Sequence, residues 1–250
     1  MLNQLQRDAL EVILVRPRNP LNIGAAARAM ANFGLTRLTV VAPYAPHWRE
    51  ARSAVGAPEL LAEARLTESL AEACAQATLV LGTGTSSTRK AEQPILALPH
   101  LPALIDQQLA ASGRIAIVFG PEKHGLTRDD LALCHSMVEI PTHTHQPSMN
   151  LGQAVAVCLY EMVIHAGSLE ASSTTPTTAA SSERLERLAD LVAEVMAASR
   201  YSPAQMQSSN RHDLSLMLRR LAPTEHDTRR LLGLFRRIDW QLKNNSSSRG

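Results

Sequence analysis

Residues 12–41 read VILVRPRNPLNIGAAARAMANFGLTRLTVV. An aliphatic run at Val12–Val15 precedes a turn rich in Pro and Asn, an alanine-rich helical pattern covers Ala25–Phe33, and a second aliphatic run follows at Leu38–Val41. Gly34 is the residue type usually found just after a helix ends. A strand, a helix and a strand in this order predict a βαβ unit, which implies a parallel sheet.

The alternation of strands and helices continues along the chain. Aliphatic runs at Thr78–Leu81 and Ile115–Phe119 predict further strands, and helical patterns occupy Leu60–Cys74, Leu101–Ser112 and Asn150–His165. The strand runs are apolar throughout, as expected when both faces of a sheet are covered. We therefore predict an α/β fold with a mostly parallel sheet, and we expect a ligand site beyond the carboxyl ends of its strands.

The composition, 45% hydrophobic and 19% charged residues, is that of an ordinary globular protein. Only 3% of the residues are aromatic, which argues against base-stacking platforms. No stretch approaches the ~20 apolar residues of a membrane span and no signal peptide is recognisable, so we expect a cytoplasmic protein without a membrane partner. Cys74, Cys134 and Cys158 form no C-x-x-C pair, so we expect core cysteines and no structural metal.

A low-complexity stretch rich in Ser and Thr divides the chain. We predict an α/β domain over residues 1–167, a flexible linker over 168–183, a helical domain over 184–243 and a disordered tail over 244–250. The charge is uneven, because residues 184–250 carry 12 basic and 7 acidic side chains.

Leucines at helical spacing within residues 184–243 predict three short amphipathic helices, with boundaries at Pro203 and Pro223. Paired arginines put positive charge on the predicted exposed faces: Arg219–Arg220, Arg229–Arg230 and Arg236–Arg237. Such faces bind RNA phosphates in some proteins and are merely solvated in others, and charge alone favours neither interpretation.

The first loop with candidate functional residues is Asn19–Arg28. Asn22 is predicted to cap the following helix, and Gly24 in its first turn would allow another backbone or a ligand to approach closely. Arg28 is either a surface cation or a functional group.

The second loop, Gly82–Lys90, combines two glycines with several hydroxyls after a strand. Its backbone could wrap a small polar ligand, although clusters of this composition are usually ordinary loops.

The third loop contains Glu122 between Gly120 and Gly125, and Thr127 suits the beginning of a helix. We expect the Glu122 carboxylate to orient a neighbouring cation.

The fourth loop runs from Ile140 to Asn150. Ser148 and Asn150 flank the start of a helix, where both could simply be caps. His143 and His145 lack the additional ligands that a zinc site needs, so we expect them to be solvated loop residues.

Together these loops form an ordered set of motifs: Asn19-Pro-x-Asn22-x-Gly24-x-x-x-Arg28 with Phe33-Gly34, then Phe119-Gly-x-Glu122-x-x-Gly125-Leu, then Ile140-Pro with Ser148-Met149-Asn150 and Ala154. The set resembles the three motifs of the SpoU/TrmH branch of the SPOUT RNA methyltransferases. The resemblance covers roughly residues 10–165. The third motif commonly reads Ser-Leu-Asn in that family, so Met149 is a departure, one that leaves a backbone contact intact.

The resemblance implies a SPOUT fold, in which the chain around residues 140–165 threads through an earlier loop to form a deep C-terminal trefoil knot. It implies S-adenosyl-L-methionine as cofactor, S-adenosyl-L-homocysteine as product, and a homodimer through the knot region. By position, eight residues are expected to contact the cofactor: Thr83, Gly84, Thr85, Gly120, Ile140, Pro147, Ser148 and Met149.

The activity implied by the resemblance is methylation of an RNA ribose 2′-hydroxyl. The helical extension and the lack of an N-terminal substrate domain look most like the family members that modify nucleotide 32, C or U, in tRNA anticodon loops. Another tRNA or rRNA site is the alternative.

Family precedent assigns Arg28 to help the hydroxyl lose its proton, with Asn22, Glu122 and Asn150 orienting Arg28 and Ser148 lying beside ribose or cofactor. A guanidinium normally keeps its proton in proteins. Stabilising the developing alkoxide is therefore the safer role for Arg28, and deprotonation of Arg28 itself stays a hypothesis.

Gly152 follows the third motif inside a predicted helix. Glycine there weakens a helix by about 0.5–1 kcal/mol relative to alanine, so we expect it to allow close packing against another chain or the knot.

Two other classes of protein compete with this interpretation. A dinucleotide-binding dehydrogenase would need a G-x-G-x-x-G motif after a strand and an acidic residue about 20 positions later, and neither is present. A non-catalytic RNA-binding protein of the same fold would be favoured by loss of Arg28, Ser148 or Asn150, and all three are present.

Overall fold

The computed structural model describes residues 2–85, 92–165 and 178–247. Its strands are β1 Leu10–Val15, β2 Leu38–Val41, β3 Arg65–Thr67, β4 Leu79–Gly84, β5 Ile95–Ala97, β6 Ile115–Phe119 and β7 Ser136–Glu139. They form one sheet in the order β3-β2-β1-β6-β4-β7-β5, and every pairing between these strands is parallel. The predicted α/β fold with a parallel sheet is confirmed.

The helices are α1 Gln4–Asp8, α2 Pro20–Asn32, α3 Pro58–Glu63, α4 Leu70–Ala73, α5 Leu101–Ala110, α6 Arg128–Ala132, α7 Leu151–His165, α8 Ser182–Ala198, α9 Gln207–Leu221 and α10 Glu225–Ser247. Among the described residues, no helix combines the length and apolar character that crossing a membrane requires.

Two apolar layers cover the faces of the sheet. In β1, Val12 and Leu14 join a cluster with α2, α5 and α7, whereas Ile13 and Val15 join a cluster on the opposite face with α4 and α6. Because alternate side chains of one strand enter different layers, the strand must be apolar at every position. The three cysteines are buried in these layers, as predicted.

The sequence predictions missed three of the strands and misassigned one segment. β3 and β5 have only three residues each, and β7 begins with Ser136 and ends with Glu139, so none of these strands gives a clear apolar run. Leu60–Cys74 was predicted as one helical segment, which is wrong: the chain leaves α3 at Ala64, adds β3 to the sheet edge and enters α4. Gly82–Gly84, predicted as part of a loop, instead extends β4.

The carboxyl-terminal part contains the three predicted amphipathic helices, with Pro203 and Pro223 between them. The helices are longer than predicted: α8 begins at Ser182, and α10 continues into the predicted tail as far as Ser247. Residues 168–177 of the predicted linker lie outside the described part. The three helices pack around a small core of Leu188, Ala189, Leu214, Leu218 and Leu232.

Arg219 was predicted on an exposed face, and this is wrong. Its side chain is 1% exposed and forms an ion pair with Glu186, with a separation of 2.8 Å between Nη1 and Oε1. Arg219 also donates a hydrogen bond to the Ser182 hydroxyl at the start of α8. The arginine therefore joins α9 to α8 and leaves Arg220 as the exposed member of the pair.

The carboxyl-terminal helices contact the α/β part of the chain through a charged cluster. Glu92 accepts hydrogen bonds from Arg128 of α6, and its carboxylate lies 2.8 Å from Nε2 of His212 in α9. The hydrogen bond from Arg128, and to a smaller extent that from His212, lowers the pKa of Glu92 to about 2. Ser182 additionally donates its backbone N–H to the Ala77 carbonyl.

Candidate active site

The N-terminal cap of α2 is Asn19, one turn earlier than the predicted cap, Asn22. The Asn19 side chain accepts a hydrogen bond from the Leu21 N–H at 3.0 Å, and Pro20 occupies the first helical position, which suits its missing N–H. Asn22 is therefore inside the first turn, and its side-chain amide is available for other contacts.

The Asn22 amide links the motifs on both sides. Its Nδ2 donates to Glu122 Oε1 at 2.9 Å, and its Oδ1 accepts from Asn150 Nδ2 at 2.9 Å. Asn150 Oδ1 then accepts from the Gly152 N–H at 2.9 Å, so Asn150 caps α7. One hydrogen-bonded chain thus joins the loop after β6, the start of α2 and the start of α7.

Glu122 accepts several hydrogen bonds from the first loop. Besides Asn22, it accepts from the backbone N–H groups of Arg18 and Asn19 at 3.0 and 3.1 Å. Partial burial alone would raise the pKa of Glu122, but the hydrogen bonds from Asn22 and these backbone groups lower it below its ordinary value. Glu122 therefore carries its negative charge at neutral pH, and the groups it holds are amides rather than the cation expected from the sequence.

A cavity of about 410 Å³ lies beside this chain of hydrogen bonds, at the carboxyl ends of β4, β6 and β7. All eight residues expected to contact a cofactor line it: Thr83, Gly84, Thr85, Gly120, Ile140, Pro147, Ser148 and Met149. Glu122 lines it as well. The position agrees with the rule that open parallel sheets bind ligands beyond the carboxyl ends of their strands.

Two glycines shape the cavity wall. A Cβ on Gly120 would collide with the backbone of Gly125 and Leu126, and one on Gly84 would lie 2.9 Å from Met137 Sδ. Apolar side chains complete the wall, namely Leu126, Leu131 and Met137. Leu131 and Met137 were not predicted as site residues from the sequence. Had β7 been predicted, Met137 could have been assigned to the site, because β7 ends at the same edge of the sheet as β4 and β6.

Arg28 is not among the cavity residues. It is exposed on α2, six residues after Asn22, which places it about 9 Å further along the helix axis. Within the described residues it forms neither a hydrogen bond nor an ion pair with Asn22, Glu122 or Asn150. A single copy of the chain therefore brings together every predicted site residue except Arg28.

Glycines permit the tight packing of α2. A Cβ on Gly152 would lie 2.6 Å from Ala25 Cβ, and a Cβ on Gly24 would lie 2.8 Å from the Ala54 N atom. Gly24 thus admits a second backbone segment, one of the two options predicted. Gly152 packs against α2 of the same chain.

His143 and His145 are exposed, with ring centroids 5.2 Å apart. Across the described ranges, no group of three or more His, Cys, Asp or Glu residues is arranged to hold a metal.

Comparison with known proteins gives a family match. Residues 9–160 match the SpoU rRNA Methylase family. The chain is 39% identical over 156 residues to the tRNA (cytidine/uridine/adenosine-2′-O-)-methyltransferase TrmJ of Pseudomonas aeruginosa (strain UCBPP-PA14), which covers 62% of this chain and 60% of that protein. It is 38% identical over 155 residues to the tRNA (cytidine-2′-O-)-methyltransferase TrmJ of Methanocaldococcus jannaschii, covering 61% of this chain and 66% of that one.

Among solved structures, the crystal structure of TrmJ from Z. mobilis ZM4 is similar, with a TM-score of 0.80 and 30% sequence identity. That similarity covers 92% of this chain and 98% of the other. By sequence, the chain spans only 60% of the Pseudomonas relative. The structural similarity therefore extends further along the chain than the sequence similarity does.

Proposed function

Because this chain belongs to the SpoU rRNA Methylase family, we propose that it transfers a methyl group from S-adenosyl-L-methionine to a ribose 2′-hydroxyl of tRNA. One observation carries the proposal: the hydrogen-bonded chain of Glu122, Asn22 and Asn150 adjoins a cavity that all eight expected cofactor residues line. The names of the TrmJ relatives, which are tRNA 2′-O-methyltransferases, support the choice of tRNA.

The cavity fits the proposed cofactor in size and chemistry. Its volume lies within the range of about 300–1,000 Å³ usual for small-molecule sites. The apolar wall of Leu126, Leu131 and Met137 suits an adenine ring, whereas the Thr83–Thr85 and Gly120 backbone offers polar groups for hydrogen bonds. A Cβ on Gly120 would displace the Gly125–Leu126 backbone, so this part of the cavity wall keeps its shape only with glycine at position 120.

The bound cofactor supplies a methyl group already activated by a sulfonium. The residues of the chain then have to hold the ribose hydroxyl, stabilise it as it loses its proton and exclude water. Ser148 lines the cavity and precedes Asn150, so we assign its hydroxyl to the ribose or the cofactor. The Glu122–Asn22–Asn150 chain fixes the relative positions of the three motifs, which is the preorganisation that such a transfer requires.

We assign Arg28 to the developing alkoxide, acting from a second copy of the chain. Its exposed position outside the cavity of its own chain supports this assignment. Large apolar side chains on the surrounding surface support a homodimer: Leu21 is 54% exposed, Tyr160 51% and Met149 36%. A two-fold interface over α2, α7 and the loop before α7 would cover them. The trefoil knot expected of the family remains part of this proposal.

The helical domain presents a basic surface that we assign to RNA binding. Arg229, Arg230, Arg236 and Arg237 are all exposed on α10. Arg237 stacks on Trp240, with its Cζ 4.4 Å from the ring centroid, and Trp240 is 52% exposed. Arginines aligned on one helix suit a phosphate backbone, and this favours RNA binding over a merely solvated face.

Within tRNA, we propose nucleotide 32 of the anticodon loop, a C or a U, as the methylated position. The resemblance of the sequence to the family members that modify this nucleotide supports the choice. Another tRNA or rRNA position is the second candidate.

The test is to incubate the protein with labelled S-adenosyl-L-methionine and total tRNA, and then to map the modified nucleotide. We expect label on ribose oxygen, at nucleotide 32. Label on a base would contradict the reaction, and label on ribose elsewhere would contradict the position alone. A parallel incubation with rRNA tests the second candidate, and label on rRNA without label on tRNA would identify rRNA as the substrate.

A further inference from the structure

Tyr44 is one of only eight aromatic residues of the Phe, Trp and Tyr types in the chain. Its side chain is 77% exposed, in the loop that follows β2. The loop is held at this point, because the Tyr44 N–H donates to the Pro17 carbonyl at 3.1 Å. The ring is therefore held at a defined place in the loop, with most of its surface open to a ligand.

Arg18 connects Tyr44 to the active site. Its Cζ lies 5.4 Å from the Tyr44 ring centroid, and its backbone N–H donates to Glu122 Oε2 at 3.0 Å. The same Glu122 carboxylate binds Asn22, as described above. Arg18, and through it Tyr44, therefore adjoins the Glu122–Asn22–Asn150 chain that positions the three motifs under the proposed function.

A contact between a cation and an exposed ring stabilises a loop by only about 0.5–1 kcal/mol. The same arrangement is well suited to RNA, because a nucleobase stacks on an aromatic ring and a guanidinium binds the adjoining phosphate. Lys123 also lines the neighbouring cavity and adds a second cation to the site. A ribose hydroxyl presented to the site brings its flanking nucleotides to this rim.

We propose that Tyr44 and Arg18 bind a nucleotide next to the methylated one: its base stacks on Tyr44 and its phosphate contacts Arg18. The inference rests on the proposed function and names the substrate contact of that same site. The low aromatic content argued against stacking platforms, but one exposed ring in the right place is sufficient for one nucleotide.

The test compares Tyr44→Ala and Tyr44→Phe with the wild-type protein. Tyr201→Ala is the matched control, because Tyr201 is 75% exposed and lies in the helical domain between α8 and α9. Direct tRNA binding, the KM for tRNA and cofactor affinity are measured for each. We expect Tyr44→Ala to weaken tRNA binding and raise the KM about tenfold, with Tyr44→Phe and Tyr201→Ala close to wild type and cofactor affinity unchanged.

Arg18 is tested by salt dependence. Arg18→Ala should reduce the slope of log binding constant against log salt by about 1, whereas Arg18→Lys should preserve it. Arg114→Ala is the control, because Arg114 is exposed just before β6, at the opposite end of the strands.

Each outcome decides between the two proposals. Wild-type tRNA binding by Tyr44→Ala, or a wild-type protein that binds no tRNA, overturns the inference. If tRNA binding depends on Tyr44 but no methyl transfer to ribose occurs, the nucleotide site stands and the proposed function fails.

Discussion

Asn150 donates its side-chain N–H to Asn22 Oδ1 at 2.9 Å, across 128 residues of sequence. Because Asn22 Nδ2 donates to Glu122, the Asn22 amide can adopt only one orientation. Asn150 is constrained in the same way, since its Oδ1 caps α7. Each amide therefore acts as donor and acceptor at once, and a substitution that keeps its shape but removes the donor separates positioning from packing.

Asn22→Asp should abolish most activity with little loss of fold. The new carboxylate would face Glu122, and repulsion would replace a hydrogen bond. A displacement of about 1 Å in an active site lowers a rate by about 100-fold, which is the loss we expect in kcat. Asn150→Asp is the matched variant, because its charge lies at the N-terminus of α7 and keeps the cap. It should lower kcat while its Tm stays at or above that of wild type. If activity fell in both variants only in step with a loss of Tm, the two asparagine side chains would have a purely structural role.

Glu122→Gln should destabilise the protein in a pH-dependent manner. The pKa of Glu122 is below its ordinary value of 4.5 in the folded chain, so its charged form stabilises the fold. That contribution is fully present above pH 4.5 and is lost as the pH falls through the lower folded-state pKa. The Tm difference between wild type and Glu122→Gln should be constant from pH 7 to about 4.5 and shrink below it. A difference that is unchanged at pH 3 would contradict the role of the carboxylate charge.

Two helix glycines should respond oppositely to alanine. A Cβ on Gly152 would lie 2.6 Å from Ala25 Cβ and push α7 from α2, whereas a Cβ on Gly233 in α10 meets nothing within 4 Å. Gly233→Ala should raise the free energy of unfolding by about 0.5–1 kcal/mol. Gly152→Ala should lower it by about 1–3 kcal/mol, as overpacking does, and should also weaken activity because Asn150 moves with α7. Urea denaturation of the two variants measures both changes in the free energy of unfolding. Stabilisation by Gly152→Ala would disprove the tight contact.

The sequence could predict the four strands with long aliphatic runs, because burial on both faces demands apolar residues at every position. It could not predict β3, whose three residues owe their conformation to pairing with β2. The predicted cap of α2, Asn22, was wrong because Asn19 lies only one turn earlier and is an equally good cap residue. The partner of Glu122 could not be predicted either, because Asn22 lies 100 residues away in the sequence. Motif order indicated the members of the site, whereas their hydrogen-bond roles depended on tertiary structure.

Mixing two inactive variants should restore activity if Arg28 serves a second copy. Arg28→Ala would leave the cavity intact, whereas Gly120→Ala would disrupt the cavity but keep Arg28. A mixed dimer then has one complete site, so coexpression in equal amounts should give about a quarter of wild-type activity. Each variant alone should be inactive, and the measurement is methyl transfer to tRNA by the copurified mixture. No recovery from a mixture shown to contain mixed dimers would contradict action of Arg28 across the interface.

The α10 arginines should contribute to tRNA affinity through charge alone. Arg229, Arg230, Arg236 and Arg237 are exposed, and Arg229 has one ion-pair distance of 3.6 Å to Glu225. Each arginine that neutralises a phosphate should contribute about 0.9 to the slope of log binding constant against log salt. Replacing Arg236 and Arg237 by alanine should therefore reduce the slope by about 2 and weaken binding similarly for all tRNA sequences. Because neither residue lines the cavity, kcat at saturating tRNA should stay near wild type.

Arg219→Ala is the contrasting variant, since its buried ion pair with Glu186 predicts lower stability with an unchanged salt slope. If the double variant kept the wild-type slope, Arg236 and Arg237 would be solvated residues without a phosphate partner, and the proposed contribution of this part of α10 would be wrong.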